Sequence, residues 1–283
     1  MKKTLLFVML VLTIGLISCN GDETQDDRIQ VAVSITPQEA FVDQVGKELV
    51  NVTTIIKPGY SPANYEPSLK EIAELNQVDV YFAIGVPAEA GNIIPELDDL
   101  DIVYLQDLVR EEYPDREFAP GSRDPHIWLS IKRVKVMVDE IASELARIDP
   151  DNSDYYLANS SDYKTSLDEL DDDLEAIFIG KTMRKFIVFH PSYGYFADDY
   201  NLEMYSLEQG GKEPTASHLQ DMFDLANNYN INYVFHQAEI DSVQVISFVE
   251  QIDGETVELN PLGYDYIDNM LNMGELIGDS LYE

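Results

Sequence analysis

The sequence predicts an α/β fold of two lobes, each with a parallel-rich sheet flanked by helices, joined by one long rigid helix with the ligand cleft between the lobes. Three observations predict this. Strand-like runs alternate with helical patterns in two separate parts of the chain. A long amphipathic helical pattern separates the two series. The length of 283 residues suits two compact units of roughly 100–150 residues each.

The first series begins after a polar N-terminal stretch. Its β-rich runs are 29–35, 52–59 and 78–85, and helical patterns cover 37–49 and 68–77 between them. The second series repeats this rhythm. Its strands are predicted at 185–190, 203–208, 231–237 and 255–261, with helices at 216–228 and before Gln251. Strands that alternate with helices at this spacing favour parallel pairing.

Between the two series, one helix is predicted over 151–180. An Asp-Pro-Asp-Asn stretch precedes it and is typical of a helix start. Its apolar residues form one stripe at helical spacing, and acids fill its other faces. The stripe contains Tyr156, Tyr163, Leu167, Leu170, Leu174 and Ile177. A helical connection of this length resists the wide opening that loose strand linkers allow.

The chain begins with a secretory signal pattern. Lys2 and Lys3 precede an apolar run that is too short for a stable membrane span, and Leu-Ile-Ser-Cys follows. This tetrapeptide resembles a bacterial lipobox, so Cys19 is the predicted lipidation site. Cys19 is the one cysteine of the sequence, which excludes an intrachain disulfide. We therefore expect a lipid-anchored protein on the extracytoplasmic face of a cell membrane, although an ordinary signal peptide stays open.

These observations define the predicted organisation. It consists of a lipoprotein signal peptide at 1–18, a flexible tether at 19–28, an N-terminal lobe at 29–150, a linking helix at 151–180 and a C-terminal lobe at 181–283.

The chain is strongly acidic, with a formal net charge of −35 at pH 7. Such a surface repels phosphate, which argues against nucleic acid as a partner. Because 45% of the residues are hydrophobic, the acids are a surface feature of a globular protein and not a sign of disorder. We interpret them as an adaptation to high salt; simple solubility or loose attraction of cations is the alternative.

Three of the four histidines lie where ligands of α/β proteins cluster. His190 ends a predicted strand, His236 nearly ends another, and His126 lies in a loop that leads into a helix. Asn260 closes the last strand, whereas His218 lies in the first turns of a helix and is predicted to be solvated. Neutral imidazole is a common ligand of zinc and its neighbours in the periodic table. Position alone leaves a structural and a metal-binding role open.

Five segments together resemble the zinc- and manganese-binding group of ABC transporter substrate-binding proteins, known as cluster A-I. They occur in the family order at 60–75, 124–130, 189–202, 210–222 and 259–270. The resemblance implies two α/β lobes, a rigid linking helix and one metal ion, Zn²⁺ or Mn²⁺, bound between the lobes. It also implies delivery of that ion to a membrane permease with its ATPase. We expect a monomer without enzymatic activity.

The resemblance carries His126 and His190 over as metal ligands, but two family positions differ. Where the family typically has the histidine of Pro-His-x-Tyr-Glu-Pro, this chain has Ala63, and Asn260 replaces the carboxylate of a typical Asp-Pro-Leu. Asn64 beside Ala63 offers an amide oxygen, which is a weak ligand for zinc.

His236 is a candidate replacement ligand, because its strand end is expected to face the same cleft. Glu239, three residues later, water or Asn260 would complete the set. The alternative is that His236 points into the lobe and the site is degenerate, as in a surface lipoprotein that acts in adhesion or scavenging. A metallohydrolase would also use three histidines, but the sequence contains no His-Glu-x-x-His motif.

Overall fold

The computed structural model describes residues 26–238 and 243–282. The predicted signal peptide, Cys19 and Glu239 lie outside the described residues.

The first sheet has four parallel strands in the order β2-β1-β3-β4. Its strands are β1 (Ile29–Val33), β2 (Val50–Thr54), β3 (Val80–Ala83) and β4 (Ile102–Tyr104). The central strand β3 is buried along its whole length, as expected for a parallel strand covered on both faces. Helices on this half are α1 (Thr36–Gly46), α2 (Leu69–Leu75), α3 (Leu105–Glu112) and α4 (Ile131–Ile148).

A short antiparallel hairpin follows α3. It consists of β5 (Glu117–Ala119) and β6 (Ser122–Arg123), joined through Gly121 in the left-handed region at φ 78°. A 3₁₀ turn at Ile127–Leu129 then leads into α4. This segment carries Phe118, Arg123 and His126 toward the second half of the chain.

The long helix α5 (Ser153–Phe178) connects the two halves. Its buried stripe matches the predicted one as far as Leu174, and Phe178 is buried in place of Ile177, which is half-buried. The helix packs along α4, α1 and the C-terminal helix α9 (Tyr266–Ser280), so it contacts elements from both halves.

The second sheet repeats the first in outline, with parallel order β10-β9-β7-β8. Its strands are β7 (Lys185–Val188), β8 (Glu203–Ser206), β9 (Tyr233–His236) and β10 (Glu255–Glu258). Its remaining helices are α6 (Gly194–Asp199), α7 (Ala216–Tyr229) and α8 (Val243–Gln251).

Buried hydrogen bonds tie the segment around Trp128 to the second half. The Trp128 indole N–H donates to the Pro261 carbonyl at 2.8 Å, and the Tyr266 hydroxyl donates to the Trp128 carbonyl at 2.7 Å. Ser130 donates to the Asp199 carboxylate at 2.6 Å. Since Trp128 is 1% exposed, these bonds fix the two sides of the cleft against each other.

The predicted fold class is confirmed: two parallel sheets flanked by helices, with a long helix between them in the chain. The stated lobe boundaries remain predictions. Strand β4, the hairpin and α9 were not predicted. Within the described ranges, no helix is both long and apolar enough to span a bilayer.

Candidate metal site

A cavity of about 570 Å³ lies between the two halves of the chain. One side of the cavity is lined by residues 61–64 and 86–87 and by residues of the segment from Phe118 to Trp128. The other side of the cavity is lined by the ends of β7 and β9, by the loop after β8 and by Pro261–Leu262. The strand ends therefore converge here as expected for a parallel α/β fold.

His126 lines this cavity directly before the 3₁₀ turn. Its Nδ1 lies 2.7 Å from Asp124 Oδ1, which also accepts from the His126 backbone N–H at 3.1 Å. Asp124 is fully buried, and its second oxygen pairs with Arg116 at 3.3 Å. An ionised carboxylate can accept hydrogen bonds but cannot donate them, so in this pair Nδ1 carries the proton. The unprotonated Nε2 is then free to act as a metal ligand.

His190 lines the same cavity just after β7. Its Nδ1 lies 2.6 Å from Glu208 Oε2, again leaving Nε2 with a lone pair for a ligand. Glu208 follows the neighbouring strand β8, and its backbone N–H donates to the Phe189 carbonyl at 3.0 Å. The adjacent strands β7 and β8 thus place the imidazole and its carboxylate side by side.

The two imidazole rings are close enough to share one ion. Their centres are 5.3 Å apart at an interplanar angle of 77°. Two imidazoles bound to one tetrahedral ion at about 2.0–2.1 Å place their ring centres roughly 5 Å apart. The observed separation fits such an arrangement.

Burial lowers the pKa of His126, while hydrogen bonding to Asp124 opposes this shift; the charges of His190 and Arg123 act in the same direction as burial. His126 therefore stays neutral, which is the form that binds metal, to lower pH than a solvated histidine.

The other predicted ligands are placed differently. Asn64 is exposed and lines the cavity beside Ala63. Asn260 is exposed and does not contribute to the cavity lining, and its side-chain oxygen accepts from the Leu262 N–H at 3.1 Å. The structure thus brings His126, His190 and Asn64 together.

His236 is half-buried and is not part of the cavity wall, whereas its neighbour Gln237 is. Successive side chains at a strand end point in opposite directions, so only one of these two residues faces the cleft. Gln237 is 8% exposed and donates to the hydroxyl of Ser192. Sequence reasoning identified the correct strand end but did not select Gln237.

Three other side chains test expectations from the sequence: His218 differs from its prediction, and Phe196 and Tyr200 agree with theirs. His218 was predicted to be solvated, which is wrong: it is half-buried, and its Nε2 lies 2.8 Å from the Ser206 carbonyl. Phe196 and Tyr200 were expected to pack inside the second half. They do so against Phe178, with ring centres 6.0 and 5.7 Å away.

Within residues 26–238 and 243–282, no group of three or more His, Cys, Asp or Glu side chains is arranged to hold a metal ion. The site is therefore a pair of imidazoles with carboxylate partners. Sequence reasoning did not name those partners. Asp124 could have been predicted as a partner of His126, because it lies two residues before it in the sequence. Glu208 could not, because only the pairing of β7 with β8 brings it beside His190.

The family model described as "ZnuA: Zinc-uptake complex component A periplasmic" matches residues 31–279. The chain belongs to this family. The resemblance inferred from the five sequence segments is confirmed.

Curated relatives and solved structures agree with this assignment. The chain is 25% identical to the "High-affinity zinc uptake system protein ZnuA" of Bacillus subtilis (strain 168), over 96% of this chain and 94% of the relative. It is 25% identical to the "Manganese-binding lipoprotein MntA" of the same organism, over 97% of this chain and 93% of the relative. A crystal structure of ZnuA superimposes with a TM-score of 0.83 and 32% identity, over 89% of this chain and 99% of that structure.

Proposed function

We propose that this protein captures one divalent transition metal ion, Zn²⁺ or Mn²⁺, in the cleft and delivers it to the permease of an ABC transporter. The observation that carries the proposal is the pair of imidazoles 5.3 Å apart, each hydrogen-bonded through Nδ1 to a carboxylate. Carboxylate–histidine pairs orient metal ligands and raise their basicity. The names of the zinc and manganese relatives support the same cargo class.

The proposed protein ligands are His126 and His190. Zinc takes four ligands in most protein sites, so two positions on the ion remain for other donors. Asn64 is the candidate from the cavity wall, and Glu239 and Asn260 stay predictions for the same positions. The sequence also offered His236, but because it is not part of the cavity wall we assign these positions to oxygen donors. Water also suffices as a donor at an open position.

The proposed role is binding and delivery, without catalysis. The two imidazoles with their carboxylates suit metal binding, and the family's description as a component of a zinc-uptake complex supports a binding role. The partners would be a permease and its ATPase, and the chain would act as a monomer.

The N-terminus supplies the proposed location. A lipid on Cys19 would hold the protein at the extracytoplasmic face of the membrane, which agrees with the lipoprotein name of the manganese-binding relative. Cys19→Ala should release the protein or block its maturation. Normal processing and membrane retention of that variant would contradict the lipid anchor.

Calorimetric titration of the mature chain with Zn²⁺ and with Mn²⁺ tests the function. We expect one ion per chain for at least one of the two metals. If the protein binds neither ion, the site is degenerate and the alternative role in adhesion or scavenging becomes the better explanation.

A further inference from the structure

The cavity is much larger than a single ion requires. Its volume of about 570 Å³ lies within the range of roughly 300–1,000 Å³ that is typical of sites for small organic molecules. The two imidazoles occupy one part of it, and Ala63, elsewhere in the lining, offers no donor side chain. A bare ion held by His126 and His190 would leave most of this space to solvent.

Two cationic side chains line the same cavity, Arg123 and Lys212. Arg123 donates through Nε to Asp115 at 2.9 Å, and Nη1 lies 3.4 Å from the Gly85 carbonyl. Its Nη2 is enclosed and has no hydrogen-bond partner among the described residues. Lys212 follows Gly210 and Gly211, whose φ angles of 60° and 75° turn the loop toward His190.

The carboxylates near these cations already have partners. Asp124 is paired with His126 and Arg116, and Glu208 is paired with His190. Asp115 is paired with Arg123 itself and with Arg110, and Glu89 accepts from the backbone N–H groups of Ile84 and Gly85 at 2.8 and 2.6 Å.

The Lys212 ammonium takes part in no ion pair within the described part of the chain. Lys212 repels a bare divalent ion and attracts an anion, whereas the charge of Arg123 is balanced by Asp115. An enclosed guanidinium N–H without a partner also favours an acceptor supplied by the ligand.

We propose that the cargo of this cleft is a divalent metal ion together with a small polycarboxylate that chelates it. This inference rests on the proposed function, because His126 and His190 bind the metal in both cases. The chelator's oxygens fill the metal positions that Ala63 and Asn260 leave open. Arg123 and Lys212 pair with its remaining carboxylate charge. Carboxylate oxygens are suitable ligands for both zinc and manganese.

The test is native mass spectrometry and calorimetry of the mature chain with zinc chloride, with sodium citrate and with preformed zinc citrate. We expect zinc citrate to give a complex of one chain, one zinc and one citrate. Lys212→Gln should weaken zinc citrate binding about tenfold, the effect of losing one charge-assisted contact, and leave the affinity for zinc alone unchanged. The matched control is Lys70→Gln on α2, which removes a lysine that is 85% exposed and distant from the cavity lining.

The possible failures are distinguishable. If citrate strips zinc from the protein, or the complex contains zinc without citrate, the chelate inference is overturned and the proposed function stands. Equal zinc citrate affinity of Lys212→Gln and Lys70→Gln also overturns it. If neither zinc nor zinc citrate binds, both proposals fall.

Discussion

Two regions of the cavity lining differ in how firmly their side chains are held; we call them the histidine side, which includes residues from both halves of the chain, and the loop side. On the histidine side, formed by His126 and His190 with Asp124 and Glu208, each imidazole is held by a carboxylate at 2.6–2.7 Å. On the loop side, formed by residues 61–64, Ala63 and Asn64 are exposed. Their N–H groups donate to the Ser61 hydroxyl at 3.3 Å and to the Ser61 carbonyl at 3.4 Å, and these local bonds hold the turn. The histidine side is preorganised for a metal ion, and the loop side supplies space.

The difference indicates a division of roles. Preorganised donors supply affinity because their rotamers need not be fixed during binding. We infer that the loop side, where this chain has Ala63, leaves room for the donors that accompany the metal. Changes on the histidine side should have large effects on affinity, and changes on the loop side should have smaller or opposite ones.

The largest effect is expected for His190→Ala. Loss of a partner that only orients a ligand lowers metal affinity roughly 10–100-fold, so loss of the ligand itself should lower it by more than about 100-fold. Zinc titration measures this. His218→Ala is the matched control, because His218 bonds to Ser206 away from the main cavity. Equal affinities of the two variants would remove His190 from the site.

A smaller loss is expected for Glu208→Gln. The amide no longer accepts with a full negative charge, so the orientation and basicity of His190 suffer and zinc affinity should fall roughly 10–100-fold. Glu213→Gln, on the same loop and exposed, is the control. Circular dichroism should show that both variants remain folded. Unchanged affinity of Glu208→Gln would mean that the carboxylate does not act on the metal ligand.

A new donor on the loop side should raise the zinc affinity instead of lowering it. Ala63→His introduces a third imidazole at a position that lines the cavity, and zinc affinity should rise about tenfold or more. Ala63→Gln adds a side chain of similar reach with a weaker donor and is the control. If Ala63→His leaves zinc affinity unchanged, residue 63 does not face the ion, and the comparison of the two sides loses its basis.

The smallest effect is expected on protein stability, from the hydrogen bonds to Glu71 that hold the loop-side segment in place. Glu71 accepts from Lys57, from Tyr65 at 3.1 Å and from the Ser68 N–H at 2.7 Å, so it anchors both ends of the segment that carries Asn64. The Lys57 ammonium, followed by the Ser68 hydrogen bonds, lowers the pKa of Glu71 to about 2. A lowered carboxyl pKa stabilises the fold above the unfolded value of about 4.3 and loses this contribution as pH falls toward 2.

Glu71→Gln should therefore lower the Tm at pH 7 by a few degrees, at most about 2–4 °C, because Lys57 is largely exposed. The difference from wild type should shrink below pH 4. The control is Glu74→Gln, which removes a more exposed carboxylate from the same helix. A difference that keeps its full pH 7 size at pH 2 would show that Glu71 acts by packing and not by charge.

The sequence was sufficient for the fold because its signals were local. Alternation of strand and helix patterns predicted both parallel sheets, and the apolar stripe from Tyr156 to Leu174 predicted α5. Strand β4 was not predicted from the sequence because it has three residues, none of them buried.

The site was only partly predictable because its details depend on pairing between distant strands. His126 and His190 could be placed at converging loop and strand ends. The partnership of His190 with Glu208 needed the knowledge that β8 lies beside β7. The choice between His236 and Gln237 needed the orientation of a strand end, since a shift of one residue reverses the side that faces the cleft.

X-ray absorption spectroscopy of the zinc-loaded mature chain tests the central claim most directly, because it counts imidazole ligands. We expect two imidazole nitrogens, from His126 and His190, with oxygen donors completing the shell. The His236→Ala spectrum should be the same as that of wild type. A shell of three imidazoles that falls to two in His236→Ala would contradict a site built on His126 and His190 alone. His236 would then be a third histidine ligand, although it is not part of the cavity wall.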